Sequence, residues 1–150
     1  MQSITRSFVA LLACVISFGS GTAVQAAPKT SEDNVKITVK ADKQVVMLTL
    51  EVAKGWHLYA NPVGNPDLLS SQTVVTFTDG GKPVEAKIKY PEGKLTMDKV
   101  IGDFKIYEGT ITITATLPSP PSGQLEAVVA VSTCNETTCL LPAKVKLKIK

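Results

Sequence analysis

The chain has 150 residues, among them one histidine and three cysteines, and its formal net charge is +3. Hydrophobic residues make up 44% and charged residues 19%, a composition typical of one globular domain and incompatible with general disorder. Every basic residue except Arg6 is a lysine. Specific nucleic-acid recognition is therefore not expected, because lysine lacks the planar guanidinium that reads phosphates and guanine edges. The single histidine, His57, excludes a histidine-rich metal site.

The N-terminal segment has the features of a secretory signal peptide. Arg6 precedes an apolar run at residues 8–18, and small residues follow up to Ala26. The run is shorter than the roughly 18–20 residues needed to span the hydrocarbon of a membrane. We therefore predict a cleaved signal peptide at residues 1–26 and an exported, periplasmic chain that is not integral to the membrane.

The signal peptide also accounts for the odd number of cysteines. Cleavage after Ala26 removes Cys14 and leaves the pair Cys134 and Cys139, which can form a disulfide in an oxidising compartment. The minor alternative is a lipoprotein anchored through Cys14, because residues 11–14 resemble a lipoprotein cleavage box.

After a polar stretch at residues 27–34, predicted to be a flexible leader, apolar and polar residues alternate with the period of half-buried strands. Asp79-Gly80-Gly81 predicts a tight turn between two of these strands. The predicted strands are residues 35–40, 45–52, 73–78, 84–90, 110–117, 125–131 and 144–150. This pattern predicts an all-β fold, an immunoglobulin-like β-sandwich over residues 35–150.

Three segments need a separate interpretation. Residues 55–71 and 91–104 are predicted to be long irregular loops, which is where function tends to reside on a rigid sandwich. The alternating lysines of residues 144–150 are expected to line the solvent face of an edge strand, where they also oppose edge pairing.

The cysteine pair is the candidate reactive site of the chain. Four polar residues separate Cys134 from Cys139 between two strands, so the pair is predicted at the neck of a hairpin, with Cα atoms roughly 4.5–5.5 Å apart. A structural bridge that closes so short a loop contributes about 2 kcal/mol. A redox pair there opens without dismantling the core. No cation lies between the cysteines, and Glu136 disfavours thiolates, which suits either an inert staple or a slow, partner-specific exchanger. Spacing alone leaves both interpretations open.

Three motifs resemble a known family when taken in order. They are Gly55-Trp56-His57-Leu58-Tyr59 with Asn61-Pro62, Ile106-Tyr107-Glu108-Gly109, and Cys134-Asn135-Glu136-Thr137-Thr138-Cys139-Leu140-Leu141-Pro142. Over about residues 33–149 the chain resembles the N-terminal periplasmic domain of the thiol:disulfide interchange protein DsbD, the disulfide bond corrector family. The third motif is the most specific.

The resemblance implies an immunoglobulin-like sandwich with a redox-active pair, without cofactor or metal. Such a protein-disulfide reductase-type component takes electrons from a thioredoxin-like protein or membrane thiol transporter and passes them to exported disulfide-containing acceptor proteins. By the motif match, Cys139 forms the mixed disulfide and Cys134 resolves it. Because the sequence given ends at Lys150, the resemblance also leads us to expect a stand-alone exported chain reduced by a separate protein.

The resemblance further implies a cap loop that shields the pair, here at residues 98–104. Val100, Ile101 and Phe104 are its apolar residues, although no aromatic stands at the expected tip. Tyr59 and Trp56 are the other candidate shielding residues, and as aromatic side chains they are also expected to anchor the core or its rim.

Two alternative functions remain beside the redox module. One is a non-catalytic immunoglobulin-like binding module with a structural disulfide. The other is a copper carrier, in which Cys134 and Cys139 combine with His57, Met47 or Met97, although no metal-ligand motif is present. Apart from that alternative, His57 is expected to be a surface or hydrogen-bonded residue rather than a general base.

Overall fold

Antiparallel strands build the part of the chain described by a computed structural model, residues 29–150. The predicted signal peptide and Cys14 lie outside these described residues. The strands are β1 (Val35–Asp42), β2 (Val45–Val52), β3 (His57–Tyr59), β4 (Val74–Asp79), β5 (Lys82–Val84), β6 (Lys87–Lys89), β7 (Lys94–Thr96), β8 (Phe104–Tyr107), β9 (Thr110–Thr116), β10 (Leu125–Val131), β11 (Thr133–Cys134) and β12 (Ala143–Ile149). Two short 3₁₀ helices span Ser31–Asn34 and Pro66–Ser71. Within residues 29–150, no helix is long and apolar enough to cross a membrane.

Two four-stranded sheets form the sandwich. One has the strand order β1-β2-β9-β6, and the other has the order β12-β10-β4-β5. Alternate residues of each sheet turn inward, such as Leu48 and Leu50 on β2 and Ala127 and Val129 on β10, and all four are fully buried. These inward faces share a single hydrophobic core. The predicted all-β, immunoglobulin-like sandwich is confirmed.

One predicted strand is wrong, because residues 84–90 do not form a single strand. Lys82–Val84 pairs with β4 in one sheet, whereas Lys87–Lys89 pairs with β9 in the other. The chain therefore crosses between sheets at residues 85–86. A strand half-buried on either sheet shows the same two-residue alternation, so the pattern of hydrophobicity does not report the crossing.

A third sheet includes two strands, β3 and β7, that lie within the segments predicted to be irregular loops. It has the strand order β11-β3-β8-β7, and its members have only two to four residues each. Such strands are too short to show a recognisable alternation. This small sheet packs a second apolar cluster, separate from the main core, that includes Cys134.

The predicted flexible leader differs from the structure at residues 30–34. Ser31 is fully buried, and its backbone N–H donates to the carbonyl of Leu141 at 2.8 Å. Its hydroxyl oxygen accepts a hydrogen bond from the Thr133 N–H at 2.9 Å. Thr133 precedes the first cysteine of the hairpin and Leu141 follows the second, so this segment braces both arms. The polar composition that suggested flexibility instead supplies the buried hydrogen bonds.

We predict that Ser31→Ala lowers the free energy of unfolding by about 1–3 kcal/mol, because the buried Thr133 N–H loses its acceptor. Urea denaturation of the oxidised protein measures this loss. Glu32→Ala is the matched control, since the neighbouring side chain is exposed, and its effect should stay within about 0.5 kcal/mol. Equal, small effects of the two substitutions would contradict a bracing role for Ser31.

Candidate functional site

The three sequence motifs come together as neighbouring strands of the small sheet. Cys134 on β11 lies opposite His57 on β3, and Thr133 lies opposite Leu58. On the other side of β3, Leu58 lies opposite Tyr107 of β8. Segments that are distant in sequence are therefore hydrogen-bonded side by side, and their register decides which side chains share a face.

A buried tyrosine holds the chain where it leaves β3. The Tyr107 hydroxyl lies 2.9 Å from the carbonyl oxygen of Pro91 and accepts a hydrogen bond from the Asn61 N–H at 3.1 Å. The Asn61 side chain in turn donates to the carbonyl of Thr73 at 2.9 Å. These bonds tie the end of the first motif to the second motif and to the start of β4.

Cys134 and Cys139 are joined by a disulfide, with an S–S distance of 1.98 Å and a Cα–Cα distance of 4.0 Å. They face each other as an antiparallel bridge at the predicted hairpin neck, and their Cα atoms are closer than the roughly 4.5–5.5 Å expected from strand pairing. The Asn135 side chain closes the loop by accepting hydrogen bonds from the N–H groups of Thr137 and Thr138 at 2.9 and 2.7 Å. The polar residues between the cysteines thus build the turn that brings the two sulfurs together.

The two cysteines differ in exposure. Cys134 is 3% exposed and packs in an apolar cluster with Tyr59, Val63, Phe104 and Ile106, whereas Cys139 is exposed to solvent. Cys139 is therefore the more accessible of the two residues to an approaching thiol.

A tyrosine hydroxyl accompanies the buried sulfur. The hydroxyl of Tyr59 lies 3.4 Å from Sγ of Cys134, within hydrogen-bond distance for sulfur. Burial raises the pKa of Tyr59 above its ordinary value, so the phenol keeps its proton at neutral pH. Tyr59 is therefore a hydrogen-bond donor to the sulfur of Cys134.

An open groove of about 640 Å³ runs along the disulfide. Its apolar lining includes Trp56, Leu95, Phe104 and Ile106, and its charged lining consists of Lys94, Asp98, Glu108 and Glu136. Lys94 Nζ is paired with Glu108 at 2.8 Å. The groove therefore has an apolar floor and a net negative rim beside the exposed sulfur.

The residues expected to form a cap divide into two groups. Tyr59 and Phe104 pack beside Cys134, with their ring centroids 5.8 Å apart, and Trp56 lines the groove. Val100 and Ile101 are outside the groove lining, and Val100 is 92% exposed. The structure thus brings three of the five residues to the pair.

Local hydrogen bonds explain where the remaining two lie. The carboxylate of Asp98 accepts hydrogen bonds from the N–H groups of Val100 and Ile101, which hold its pKa below the ordinary value. Asn65 donates to the carbonyl of Ile101 at 2.8 Å. The first part of the expected cap loop is thereby a closed turn fixed to Asn65, with the side chains of Val100 and Ile101 exposed.

Sequence reasoning missed several side chains around the pair. Val63 and Ile106 pack against Cys134, although no spacing rule connects them to it. His57 is half-buried, and its Nε2 atom is buried without a hydrogen-bond partner within residues 29–150. The same part of the chain holds no cluster of three or more His, Cys, Asp or Glu side chains suited to a metal ion.

Comparison with known proteins identifies the family. The model of the N-terminal region of thiol:disulfide interchange protein DsbD matches residues 25–149. Among curated protein sequences, none matches the chain at a significant level.

Solved structures of such domains share the fold. The reduced N-terminal domain of DsbD from Neisseria meningitidis has 13% sequence identity and a TM-score of 0.63, covering 79% of this chain and 86% of that one. The same organism's DsbD N-terminal domain, in complex with the PilB N-terminal domain, has 12% sequence identity and a TM-score of 0.59. That match covers 80% of this chain and 85% of the other. The N-terminal periplasmic domain of ScsB from Proteus mirabilis has 22% sequence identity and a TM-score of 0.54. That match covers 80% of this chain and 49% of the other.

We predict that the two thiols react at different rates after reduction. On a Cys14→Ser background, Cys134→Ser isolates Cys139, and Cys139→Ser isolates Cys134. An aryl disulfide reagent should label Cys139 at least about tenfold faster, because Cys134 is buried. The absorbance of the released thiolate gives both rates. Labelling at equal rates would show that the burial of Cys134 does not protect its thiol.

Proposed function

Because this chain belongs to the family of DsbD N-terminal domains, we propose that it is an exported thiol–disulfide exchange module that acts through Cys134 and Cys139. In this role it relays electrons from a thioredoxin-like donor, or a membrane thiol transporter, to exported acceptor proteins with disulfides. The observation that carries the proposal is the unequal burial of the two cysteines of one disulfide at an open groove. An inert staple has no need of an accessible sulfur.

The reductive half of the cycle begins at the exposed sulfur. A donor thiolate attacks Sγ of Cys139, the Cys134–Cys139 bond breaks, and Cys134 leaves with the electron pair and takes up a proton. The donor's second thiol then attacks the donor sulfur of the mixed disulfide. This releases reduced Cys139 and leaves the donor oxidised, so two electrons have moved to the module.

The oxidative half runs the same chemistry toward an acceptor. The Cys139 thiolate attacks one sulfur of the acceptor disulfide, and the other acceptor sulfur leaves as a thiolate. Cys134 then attacks Sγ of Cys139, re-forms the internal bond and releases the acceptor in its reduced form. Cys139 is thus the partner-bonded residue, and Cys134 is the resolving one.

The surroundings of the pair support a protein partner rather than a small thiol. The groove floor is apolar, and the exposed side chains of Leu95 and Met97 stand on the strand and loop beside it. Such an apolar surface at a site suits docking of another domain. The Neisseria DsbD domain in complex with a PilB domain supports a domain-sized partner; that this chain's donor is thioredoxin-like is part of the proposal.

Shielding and location complete the proposal. Tyr59, Phe104 and Trp56 shield the buried sulfur, while Val100 and Ile101 extend the apolar surface offered to a partner. The predicted signal peptide and the family support a periplasmic location for the mature domain, either free or, in the minor alternative, anchored by a lipid on Cys14.

We predict that Cys134→Ser traps a disulfide-linked complex with a thioredoxin-like donor domain, because the resolving thiol is absent. Cys139→Ser is the matched control and should trap none. Both variants carry Cys14→Ser, and non-reducing electrophoresis with mass spectrometry identifies the bonded cysteine. If Cys134→Ser gives no adduct while the donor reduces a standard protein disulfide, relay through Cys139 is contradicted.

The reduction potential separates a redox pair from a structural staple. We predict a value above about −300 mV, the level below which structural disulfides lie. Equilibration of the full-length Cys14→Ser chain with redox buffers of known poise, followed by thiol trapping, measures it. A lower potential, together with a large fall in melting temperature on reduction, would instead favour the non-catalytic binding module.

A further inference from the structure

His57 stands beside the buried cysteine. It begins β3, and Cys134 of β11 is its cross-strand partner, so the two side chains emerge next to each other on the same face of the sheet. Both side chains line the groove. The imidazole packs edge-on against Tyr59, with ring centroids 5.7 Å apart, and Tyr59 itself contacts Sγ of Cys134.

One nitrogen of the imidazole lacks a hydrogen-bond partner in the described part of the chain. Within residues 29–150, Nε2 of His57 is buried and has no hydrogen-bond partner, an arrangement that costs stability. Burial lowers the pKa of His57 below its ordinary value, and this effect exceeds the opposing influence of Glu108. The ring is therefore neutral at pH 7, and a neutral imidazole offers one nitrogen as a proton acceptor.

The chemistry proposed for the site requires a proton acceptor at this place. Cys134 attacks as a thiolate, yet its apolar surroundings favour the neutral thiol. The titratable groups that surround His57 in the groove are Tyr59 on its own strand, Glu108 at the end of β8, Lys94 on β7, Asp98 in the following loop and Glu136 in the hairpin. Lys94 is paired with Glu108 at 2.8 Å, and His57 is the one imidazole among these groups.

We propose that His57 is the general base that accepts the Cys134 proton when Cys134 resolves a mixed disulfide on Cys139. The inference rests on the proposed exchange function. In this step the Cys134 sulfur forms a bond to Sγ of Cys139, and the bond from Cys139 to the partner sulfur breaks. The partner leaves as a thiolate with the bonding electrons, and the Cys134 proton moves to Nε2. In the reverse direction, protonated His57 returns the proton to the departing Cys134 sulfur.

An aryl disulfide, dithiobis-nitrobenzoate, separates the resolving step from the first attack. Reduced Cys14→Ser protein releases one aryl thiolate when Cys139 attacks, and a second when Cys134 displaces the aryl group from Cys139. The second, intramolecular phase reports the step assigned to His57, and it is followed by absorbance from pH 5 to 10.

We expect His57→Gln to slow the second phase on the order of 10²-fold at pH 7, the scale of general-base catalysis, and to leave the first phase unchanged. The difference should vanish toward pH 10, where the thiol ionises without help. A merely structural effect would slow the phase at every pH, which would overturn the proposal. Circular dichroism and the melting temperature of the oxidised variant verify that it is folded.

The acid side of the wild-type profile gives a second readout. The second phase should slow as pH falls through the pKa of His57, because a protonated imidazole cannot accept the Cys134 proton. Glu108→Gln removes the charge that favours protonation, so it should shift this limb to lower pH. If the acid limb of the pH profile is unchanged in Glu108→Gln, the role of His57 is overturned. A missing second phase in the wild type contradicts the exchange function itself, so the two failures are distinguishable.

Discussion

Antiparallel pairing between β3 and β11 places Cys134 opposite His57, and the geometry of the site depends on that register. Side chains alternate across a strand, so a slip of one residue would turn Cys134 away from Tyr59 and bring Thr133 to its place. The register is held from both sides. Tyr107 fixes the chain beyond β3 through Asn61, and the buried Ser31 fixes β11.

The same pairing places the two cysteines in different environments. Cys134 joins the small apolar cluster of the third sheet, while Cys139, across the hairpin neck, stays in solvent. Neither cysteine belongs to the core between the two large sheets. The packing between the two large sheets therefore does not involve the cysteine side chains, and we expect the bond to open while the scaffold that positions both cysteines persists.

The sequence predicted the long elements well and the short ones poorly. β2, β10 and β12 lie within one residue of their predicted bounds, because seven or eight residues suffice to show alternation. The third sheet escaped prediction, since its two- to four-residue strands exist through pairing with distant segments. Residues 84–90 kept their alternation while changing sheets, and residues 30–34 appeared flexible because their polarity says nothing about buried partners such as Thr133.

The sequence alone established the sandwich class, the turn at Gly80-Gly81 and the cysteine hairpin. Strand alternation, turn-forming residues and loop length depend only on residues that are close together in the chain. The three motifs identified the family by their residues. Only the tertiary structure decided that the motifs pair, that Cys134 is buried and Cys139 exposed, and that His57 lies opposite Cys134 across two paired strands. Burial and proximity arise between segments far apart in the chain, so the packed sheets alone determine them.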